Sequence, residues 1–367
     1  MSKEIISETF NEKSVIHAIE MSEILLVDLE TNLTCNGRCI YCYNSKKLDI
    51  ELNFVVPYEK VIGRVNKVIE AGVKTISLIG GGEPTIYKFQ QRNMLDIIRY
   101  IRKKGIKCQI FTNGLIFGNT KLCENIFSCS PKEVINTLYN LEVTIFLKFH
   151  SLSRPTYETL IGVKNSYDYF INGLQLFLGS KYINSRYPQL VLECVMCKLN
   201  YNEIQDLWRY TRKRNIIPSF ELLRPTKSTI DSGIVLNKKK IKKLFESISE
   251  IDCKEFQNKW PPIPPYLGYT CDLNRFMCYI DVKGNIYNCE SFAVYIGNID
   301  DDIAVQDLIK SSKMMQKLRN IKTNITGKCK DCIFLRNNTC YGGCRGFSWE
   351  INNDSLSSDP ICWIMKG

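Results

Sequence analysis

Residues 24–42 read ILLVDLETNLTCNGRCIYC and join a strand to the loop that follows it. The run 24–31 begins with four apolar residues and has five apolar residues in eight, which is typical of a buried strand. Cys35, Cys39 and Cys42 follow within the next loop. This stretch therefore predicts a buried strand that brings three thiols to one end of a sheet.

Strands and helices alternate after this stretch. Segments with helical spacing separate apolar runs that predict six strands, at 24–31, 74–80, 107–114, 142–149, 189–196 and 219–223. Such alternation indicates βαβ units, and hence a parallel sheet with helices on its faces.

Chemically distinctive residues follow the first four strands. The cysteine loop follows the first strand, residues 80–85 (GGGEPT) the second, residues 112–114 (TNG) the third and residues 150–151 (HS) the fourth. The carboxyl ends of parallel strands meet at one rim, where barrel enzymes place their active sites. We therefore expect these loops to converge.

Composition narrows the chemistry. The 367 residues include 17 cysteines and 2 histidines, with a net charge of +11. So few histidines argue against a His-rich metal site or a Ser-His nucleophile. Residues 1–20 do not read as a signal peptide, and no apolar run reaches the length of a membrane span. We therefore predict a cytoplasmic protein without a membrane partner, whose cysteines serve metal or redox chemistry.

The cysteines fall into three groups. Cys35-x3-Cys39-x2-Cys42 supplies three thiolates, which would leave one iron of a four-iron cluster open; the alternative is a structural zinc site with a distant fourth ligand. The middle group lacks such spacing and is predicted to be buried spectators: Cys108, Cys123, Cys129, Cys194, Cys197 and Cys253. The last group marks a C-terminal module: Cys271, Cys278, Cys289, Cys329, Cys332, Cys340, Cys344 and Cys362.

The motifs of the first half resemble those of radical S-adenosylmethionine (SAM) enzymes. Cys-x3-Cys-x-aromatic-Cys after the first strand, with Tyr41 as the aromatic residue, is the signature of that family. Residues 81–84 (GGEP), 112–114 (TNG) and 221–225 (ELLRP) look like its motifs after the second, third and sixth strands. The resemblance covers roughly residues 23–225 and implies an α/β fold, a partial (β/α)6 TIM-like barrel.

The resemblance also implies cofactors and their ligands. Cys35, Cys39 and Cys42 would hold a 4Fe–4S cluster that chelates SAM and yields a 5′-deoxyadenosyl radical, with the cofactor supplying the hard chemistry. Residues 151–154 read SLSR where the family usually has Ser-x-Asp-Gly, a departure at the fourth strand. The cofactor-binding residues implied are Tyr41 against the adenine, Gly81, Gly82, Glu83 and Pro84 near the methionyl amine, and Asn113 and Ser151 near the ribose or carboxylate.

The C-terminal cysteines resemble the SPASM extension of these enzymes, a module with two auxiliary 4Fe–4S clusters. The interval between Cys332 and Cys340 is seven residues rather than the usual five, which predicts a loop excursion around 336–338. A zinc ribbon is the alternative. The resemblance implies Cys271, Cys289 and Cys344 on the nearer cluster, with Cys278 as a fourth ligand or a buried spectator, and Cys329, Cys332, Cys340 and Cys362 on the distal one.

Glu290 follows Cys289 directly, where the related anaerobic sulfatase maturases place an acidic residue thought to take the substrate proton; an exposed hairpin glutamate is the alternative. The resemblance implies oxidative modification of a peptide or protein side chain. The alternatives are a small-molecule dehydrogenase or epimerase and, more remotely, a zinc-binding nucleic-acid module. Reduced flavodoxin or ferredoxin is the implied electron donor, and no nucleic-acid partner is expected.

The predicted organisation has four parts: an N-terminal extension (1–22), a radical SAM partial barrel (23–225), a helical and proline-rich linker (226–265) and a SPASM domain (266–367). About 22 residues precede the first strand, too few for the winged-helix recognition domain of many peptide maturases. The run Lys238, Lys239, Lys240, Lys242 and Lys243 predicts a solvated helix face; a nucleic-acid patch or a dock for an acidic electron carrier are the sharper alternatives.

Overall fold

The computed structural model describes residues 4–44 and 53–364. Within them the strands, in chain order, are β1 (Leu26–Glu30), β2 (Thr75–Ile79), β3 (Lys88–Phe89), β4 (Arg92–Asn93), β5 (Lys107–Thr112), β6 (Val143–Lys148), β7 (Leu190–Met196), β8 (Ile217–Leu222), β9 (Met277–Ile280), β10 (Asn285–Cys289) and β11 (Phe292–Asn298). The described part of the chain forms one sheet in the order β11-β10-β9-β1-β2-β5-β6-β7-β8, and β3 pairs with β4 in a separate ribbon.

The six central strands confirm the predicted α/β class. β1, β2, β5, β6, β7 and β8 pair in parallel, in chain order. They are buried along most of their length, because helices cover the faces of the sheet. The pairings recorded among the described residues leave this sheet open rather than closed into a full barrel.

Helices follow the strands as the alternation predicts. The helices of the first part are α1 (Glu12–Glu20), α2 (Tyr58–Glu70), α3 (Met94–Lys103), α4 (Leu115–Gly118), α5 (Thr120–Phe127), α6 (Pro131–Asn140), α7 (Arg154–Ile161), α8 (Ser166–Leu178) and α9 (Ile204–Lys213). Those of the second part are α10 (Lys227–Asp231), α11 (Lys238–Phe256), α12 (Val305–Ser311), α13 (Lys313–Arg319), α14 (Ile321–Asn324), α15 (Ile333–Arg336) and α16 (Arg345–Asn352). Among the described residues, no helix has both the length and the apolar composition needed to cross a bilayer.

The chain after residue 265 extends the same sheet. Residues 276–289 (FMCYIDVKGNIYNC) predict a hairpin, because two short strand-like runs flank a turn at 283–285. β9 and β10 form this hairpin, and β9 pairs in parallel with β1. Glu30, at the end of β1, is fully buried and fixes this junction. One of its carboxylate oxygens accepts the Val282 N–H at 3.1 Å, and the other accepts the Tyr279 hydroxyl. Backbone pairing of β9 with β1 therefore joins the cysteine-rich part to the parallel sheet, and Glu30 supports this junction.

The predicted N-terminal extension and the predicted linker both pack against the rest of the described chain. Residues 4–9 lie across the starts of the strands, where Ile5 is buried and the Ser7 carbonyl accepts the Thr75 hydroxyl at 2.7 Å. In the predicted linker, the apolar side of α11 joins the main core. Trp260 is buried, and its indole N–H donates to Asp252 at 2.9 Å. The linker is thus part of the folded body rather than a free spacer.

Candidate active site

One cavity at the carboxyl ends of the central strands collects the cysteine loop and the glycine-rich loop. Cys35, Cys39 and Cys42 line it together. Gly37 lies between two of them, because a Cβ there would stand 3.7 Å from Cys35 Sγ and 3.6 Å from Cys39 Sγ. Burial raises the pKa of the Cys35 thiol to about 12 and that of Cys39 to about 11. Thiols held so far from water become thiolates most readily when a metal binds them.

The glycine-rich loop packs against the cysteine loop through its backbone. The Gly82 N–H donates to the Asn32 carbonyl at 2.9 Å, and the Glu83 N–H to the Thr34 carbonyl at 2.8 Å. A Cβ on Gly82 would lie 2.1 Å from the Thr34 carbonyl oxygen, so a larger residue would force the loops apart. Gly81, Gly82 and Glu83 line the cavity, and Pro84 begins the buried turn behind them.

Glu83 ties the second strand's loop to the third. Its carboxylate accepts the Thr112 hydroxyl at 2.6 Å and the Asn113 N–H at 2.8 Å. The Asn113 side chain donates to Asn36 at 2.7 Å, which links the TNG turn to the cysteine loop. The three predicted motifs therefore form one hydrogen-bonded unit, as their shared rim position leads us to expect.

The fourth strand's loop is arranged differently. The Ser151 hydroxyl is buried and donates to Glu203 at 2.5 Å, and Ser151 is not among the residues that line the cavity. His150 accepts the Val195 N–H on Nδ1 at 3.2 Å, so its Nε2 proton is directed to the Tyr41 hydroxyl. Burial lowers the pKa of His150 to about 3, which keeps the ring neutral. His150 thus orients Tyr41, which does line the cavity.

Charged residues from neighbouring strands form the middle of the cavity. Lys148 Nζ lies 3.9 Å from a carboxylate oxygen of Glu193. Burial and, after it, the charge of Glu193 together raise the pKa of Glu221 to about 8, so Glu221 holds a proton at neutral pH. Burial opposes the charge of Lys148, but the neighbouring carboxylates outweigh it and raise the pKa of this amine. Two cations, Lys148 and Arg224, therefore line this cavity together with several acidic residues.

Glu290 faces the cavity from the C-terminal hairpin. Its carboxylate accepts the Tyr43 hydroxyl at 3.2 Å, and its carbonyl accepts Arg224 Nη1 at 2.8 Å. The Arg224 guanidinium lies over the Tyr43 ring, 4.7 Å from its centroid. Tyr43 directly follows Cys42 and Glu290 directly follows Cys289, so this contact joins the two cysteine-bearing regions.

The C-terminal cysteines fall into two sets. Cys271, Cys289 and Cys344 line a second cavity that shares Asp28, Glu290 and Ser291 with the first. Cys278 lies instead on β9, fully buried in the hydrophobic core beside β1, and does not line either cavity. The spectator alternative for Cys278 is the one that matches this placement.

A further cavity collects the remaining set. Cys329, Cys332, Cys340 and Cys362 line it with Gly342, Gly343 and Asp359. The longer interval between Cys332 and Cys340 contains α15 and, two residues before Cys340, Asn338 in the left-handed conformation with a φ of 63°. The Cys340 N–H then donates to the Phe334 carbonyl at 2.8 Å. The extra residues are therefore absorbed in a helical turn, and Cys340 still reaches the cavity.

Several cavity residues were missed by sequence reasoning. Tyr43, Lys148 and Glu193 line the cavity but carry no motif of their own, and Arg224 was noted only within ELLRP. Lys148 and Glu193 are polar residues in otherwise apolar strand runs, a signal that could have marked them. Tyr43 gave no comparable signal.

Comparison with known families identifies the first module. Residues 29–210 match the model of the Radical SAM superfamily. The chain carries a radical SAM domain. SAM and a 4Fe–4S cluster are the cofactors of such domains, and three converging thiols beside a glycine-lined cradle fit both groups. A radical SAM domain also makes this chain an enzyme.

Solved structures share the fold over most of this chain. The structure of anSMEcpe with bound AdoMet aligns with a TM-score of 0.68 and 16% identity, over 92% of this chain and 90% of that one. Streptococcus suis SuiB bound to S-adenosylmethionine aligns with a TM-score of 0.63 and 17% identity, over 97% and 84%. SuiB bound to its precursor peptide SuiA aligns with a TM-score of 0.64 and 17% identity, over 96% and 79%. No curated protein matches the sequence.

Proposed function

We propose that this radical SAM enzyme oxidatively modifies a side chain of a peptide or protein. The observation that carries the proposal is the continuity of two cavities: Asp28, Glu290 and Ser291 line both the cavity of the cysteine loop and that of Cys271, Cys289 and Cys344. A substrate bound there would lie between a site that removes a hydrogen atom and a site that can accept an electron.

The proposal assigns three iron–sulfur sites. Cys35, Cys39 and Cys42 hold the SAM-binding cluster, Cys271, Cys289 and Cys344 a nearer auxiliary cluster, and Cys329, Cys332, Cys340 and Cys362 a distal one. The three-cysteine set leaves the nearer site one protein thiolate short of full ligation. When bound there, SAM and its reduced cluster would supply a 5′-deoxyadenosyl radical able to abstract hydrogen from carbon.

The chain's own residues handle the proton. Glu290 faces the shared part of the cavities, with Tyr43 on its carboxylate and Arg224 on its backbone. These two contacts fix Glu290 next to Cys289, where it would accept the substrate proton as the electron departs. Glu221 is protonated at neutral pH and therefore cannot serve as that base there.

The likeness to SuiB with precursor peptide SuiA and to anSMEcpe supports a peptide substrate for this chain. We propose reduced flavodoxin or ferredoxin as the electron donor and the cytoplasm as the location. The domain bounds proposed from the sequence, 23–225 and 266–367, separate the SAM-binding from the auxiliary sites.

The decisive experiment is a mass-shift assay with the anaerobically reconstituted enzyme, SAM and short peptides encoded beside its gene. A loss of two mass units in a peptide would support oxidation or crosslinking. A peptide that takes up deuterium in D₂O buffer but keeps its mass in ordinary water would point to epimerisation instead. Turnover of a sugar or nucleoside, with every peptide unchanged, would contradict the peptide proposal.

The role of Glu290 has its own test. In the Glu290→Gln variant we expect 5′-deoxyadenosine formation to persist while product formation falls by about 100-fold, within the range of general base catalysis. Glu246→Gln, an exposed change on α11, is the matched control and should leave both rates unchanged. Unchanged product yield in the Glu290→Gln variant would remove Glu290 from the mechanism.

A further inference from the structure

Two glutamates on neighbouring strands form part of the wall of the active-site cavity. Glu193 on β7 is paired with Lys148 on β6, and Glu221 on β8 is paired with Val195 on β7. Paired residues of neighbouring strands, and alternate residues of one strand, share a face of the sheet. The side chains of Lys148, Glu193 and Glu221 therefore point to the same side, and all three line the cavity of the cysteine loop.

The chain's own cations leave these two acids incompletely paired. Lys148 Nζ lies 3.9 Å from Glu193 Oε1, which is too long for a hydrogen bond. Glu193 is only 6% exposed, and its Oε2 has no hydrogen-bond partner among the described residues. Arg224 donates instead to the Glu290 carbonyl at 2.8 Å and to the Ser291 hydroxyl at 3.1 Å. A buried carboxylate oxygen without a donor is unfavourable, so this wall of the cavity lacks a donor that a ligand could supply.

The cavity as a whole has an excess of negative charge. Among the described residues that line it, six are acidic and two, Lys148 and Arg224, are basic. Burial and, after it, the charge of Glu193 raise the pKa of Glu221 to about 8, as expected for a carboxyl group that lacks a sufficient counter-charge. A cation that entered the cavity would reduce the repulsion between these acids, whereas an anion would increase it.

Aromatic rings line the same cavity. Tyr266 forms a backbone bridge with Glu221, and its ring stacks on that of Tyr269 with 4.7 Å between the centroids. The rings of Phe111 and Phe146 stack with 4.0 Å between their centroids, and all four rings line the cavity. Aromatic faces attract a cation and also pack against the methylene stem that carries it. Acids for the charge and rings for the stem together suit a long cationic side chain.

We propose that Glu193 and Glu221 bind the positively charged side chain of the substrate residue, a lysine or an arginine of the peptide. The inference rests on the proposed function and adds the class of residue that the enzyme selects. The ammonium or guanidinium group of the substrate donates to Glu193 Oε2 and to the Glu221 carboxylate. This anchor holds the carbons of the same side chain in the cavity of the cysteine loop. Glu193 and Glu221 thus determine specificity, whereas Glu290 receives the proton.

The test is calorimetric binding of small probes to the anaerobically reconstituted holoenzyme with SAM. Nα-acetyl-lysine amide and Nα-acetyl-arginine amide carry the cation, Nα-acetyl-norleucine amide has the stem without the charge, and Nα-acetyl-glutamate amide has the opposite charge. We expect at least one cationic probe to bind about tenfold or more tightly than the norleucine probe, because hydrogen bonds between charged groups are the stronger ones. The glutamate probe should bind most weakly.

A double variant identifies the residues that recognise the charge. Glu193→Gln/Glu221→Gln should bind the better cationic probe about tenfold more weakly than the wild type and bind the norleucine probe equally well. Unchanged binding of SAM shows that the cavity of this variant is intact. The matched control, Glu246→Gln/Glu250→Gln, removes two exposed carboxylates from α11 and should change each Kd less than about twofold.

Equal binding of the norleucine and cationic probes by the wild type would overturn the proposal without the use of any variant, as would tightest binding of the glutamate probe. Equal binding of the cationic probe by the double variant and the wild type would also overturn it, as would equal weakening in the control. A modified peptide whose altered residue is uncharged would overturn this inference and leave the proposed function intact. Tight binding of a cationic probe with no peptide turnover would contradict the proposed function and leave the cation site intact.

Discussion

The two cysteine-bearing regions are built in different ways. The first takes all three thiols from one loop, residues 35–42, whereas the second assembles its nearer set from residues 271, 289 and 344 on separate elements. When all ligands come from one loop, the site can be recognised from the spacing of its residues in the sequence. An assembled site depends on how distant strands and turns pack, so spacing alone does not settle its membership.

The largest expected effect comes from replacing the three cysteines of the loop. Replacing Cys35, Cys39 and Cys42 with alanine should reduce 5′-deoxyadenosine formation to background, because in our proposal these three thiolates are the whole protein contribution to the SAM-binding cluster. Chromatographic measurement of 5′-deoxyadenosine under reducing conditions checks it. Cys123→Ala, a buried cysteine away from the cavities, is the control. Persistent SAM cleavage in the triple variant would refute the cluster assignment.

Removing the distal site should have a large but partial effect. Three clusters require about 12 irons per chain, and the Cys329→Ser/Cys332→Ser variant should lose about four of them while still cleaving SAM. Iron analysis after anaerobic reconstitution measures this loss. A wild-type chain that purifies with zinc and takes up no iron would overturn the iron–sulfur interpretation of all three cysteine sites.

Cys278 sharpens the contrast further. Cys271→Ser should lower the iron content, whereas Cys278→Ala should leave it unchanged and cost about 1 kcal/mol of stability, the effect of a small cavity in the core. Both effects can be read from iron content and the midpoint of chemical denaturation. Loss of iron in the Cys278→Ala variant would return Cys278 to the ligand set.

The smallest expected effect concerns pH. Burial raises the pKa of Glu221 from an ordinary 4.5 to about 8, so the folded state keeps a proton that the unfolded state releases. Stability from this group is present below pH 4.5 and is lost as pH rises towards about 8. The glutamine of the Glu221→Gln variant is neutral at every pH. Between pH 4.5 and about 8, the Tm of this variant should therefore decrease by a few degrees less than the Tm of the wild type. Thermal melts across pH, with Glu246→Gln as control, test this; parallel profiles would show that Glu221 is not the group concerned.

Local patterns were enough for much of the fold. The alternation of apolar runs and helical spacing gave the six parallel strands, and residues 81–84 and 112–114 lie against the cysteine loop because they follow neighbouring strands. The hairpin of β9 and β10 was also visible, because its turn and both strands lie close together in the chain.

Other features depend on contacts between distant residues. No local pattern indicates that β9 pairs with β1, that residues 4–9 cover the starts of the strands, or that Trp260 reaches Asp252. The family resemblance implied that Ser151 lies near the ribose or carboxylate of SAM, yet Glu203, from the turn before α9, accepts its hydroxyl. Such competition between partners is decided by packing and is absent from the sequence pattern.

The pairing of β9 with β1 has a consequence for the newly made chain. Leu26 pairs with Met277, so about 250 residues separate the two strands along the chain. At a synthesis rate of about 5–20 residues per second, β1 would wait about 10–50 s for its neighbour on that side. During this interval its backbone groups form an open edge, which can pair with other chains. Truncation before β9 would leave that edge of β1 exposed permanently. β9 therefore protects the parallel sheet from pairing with other chains.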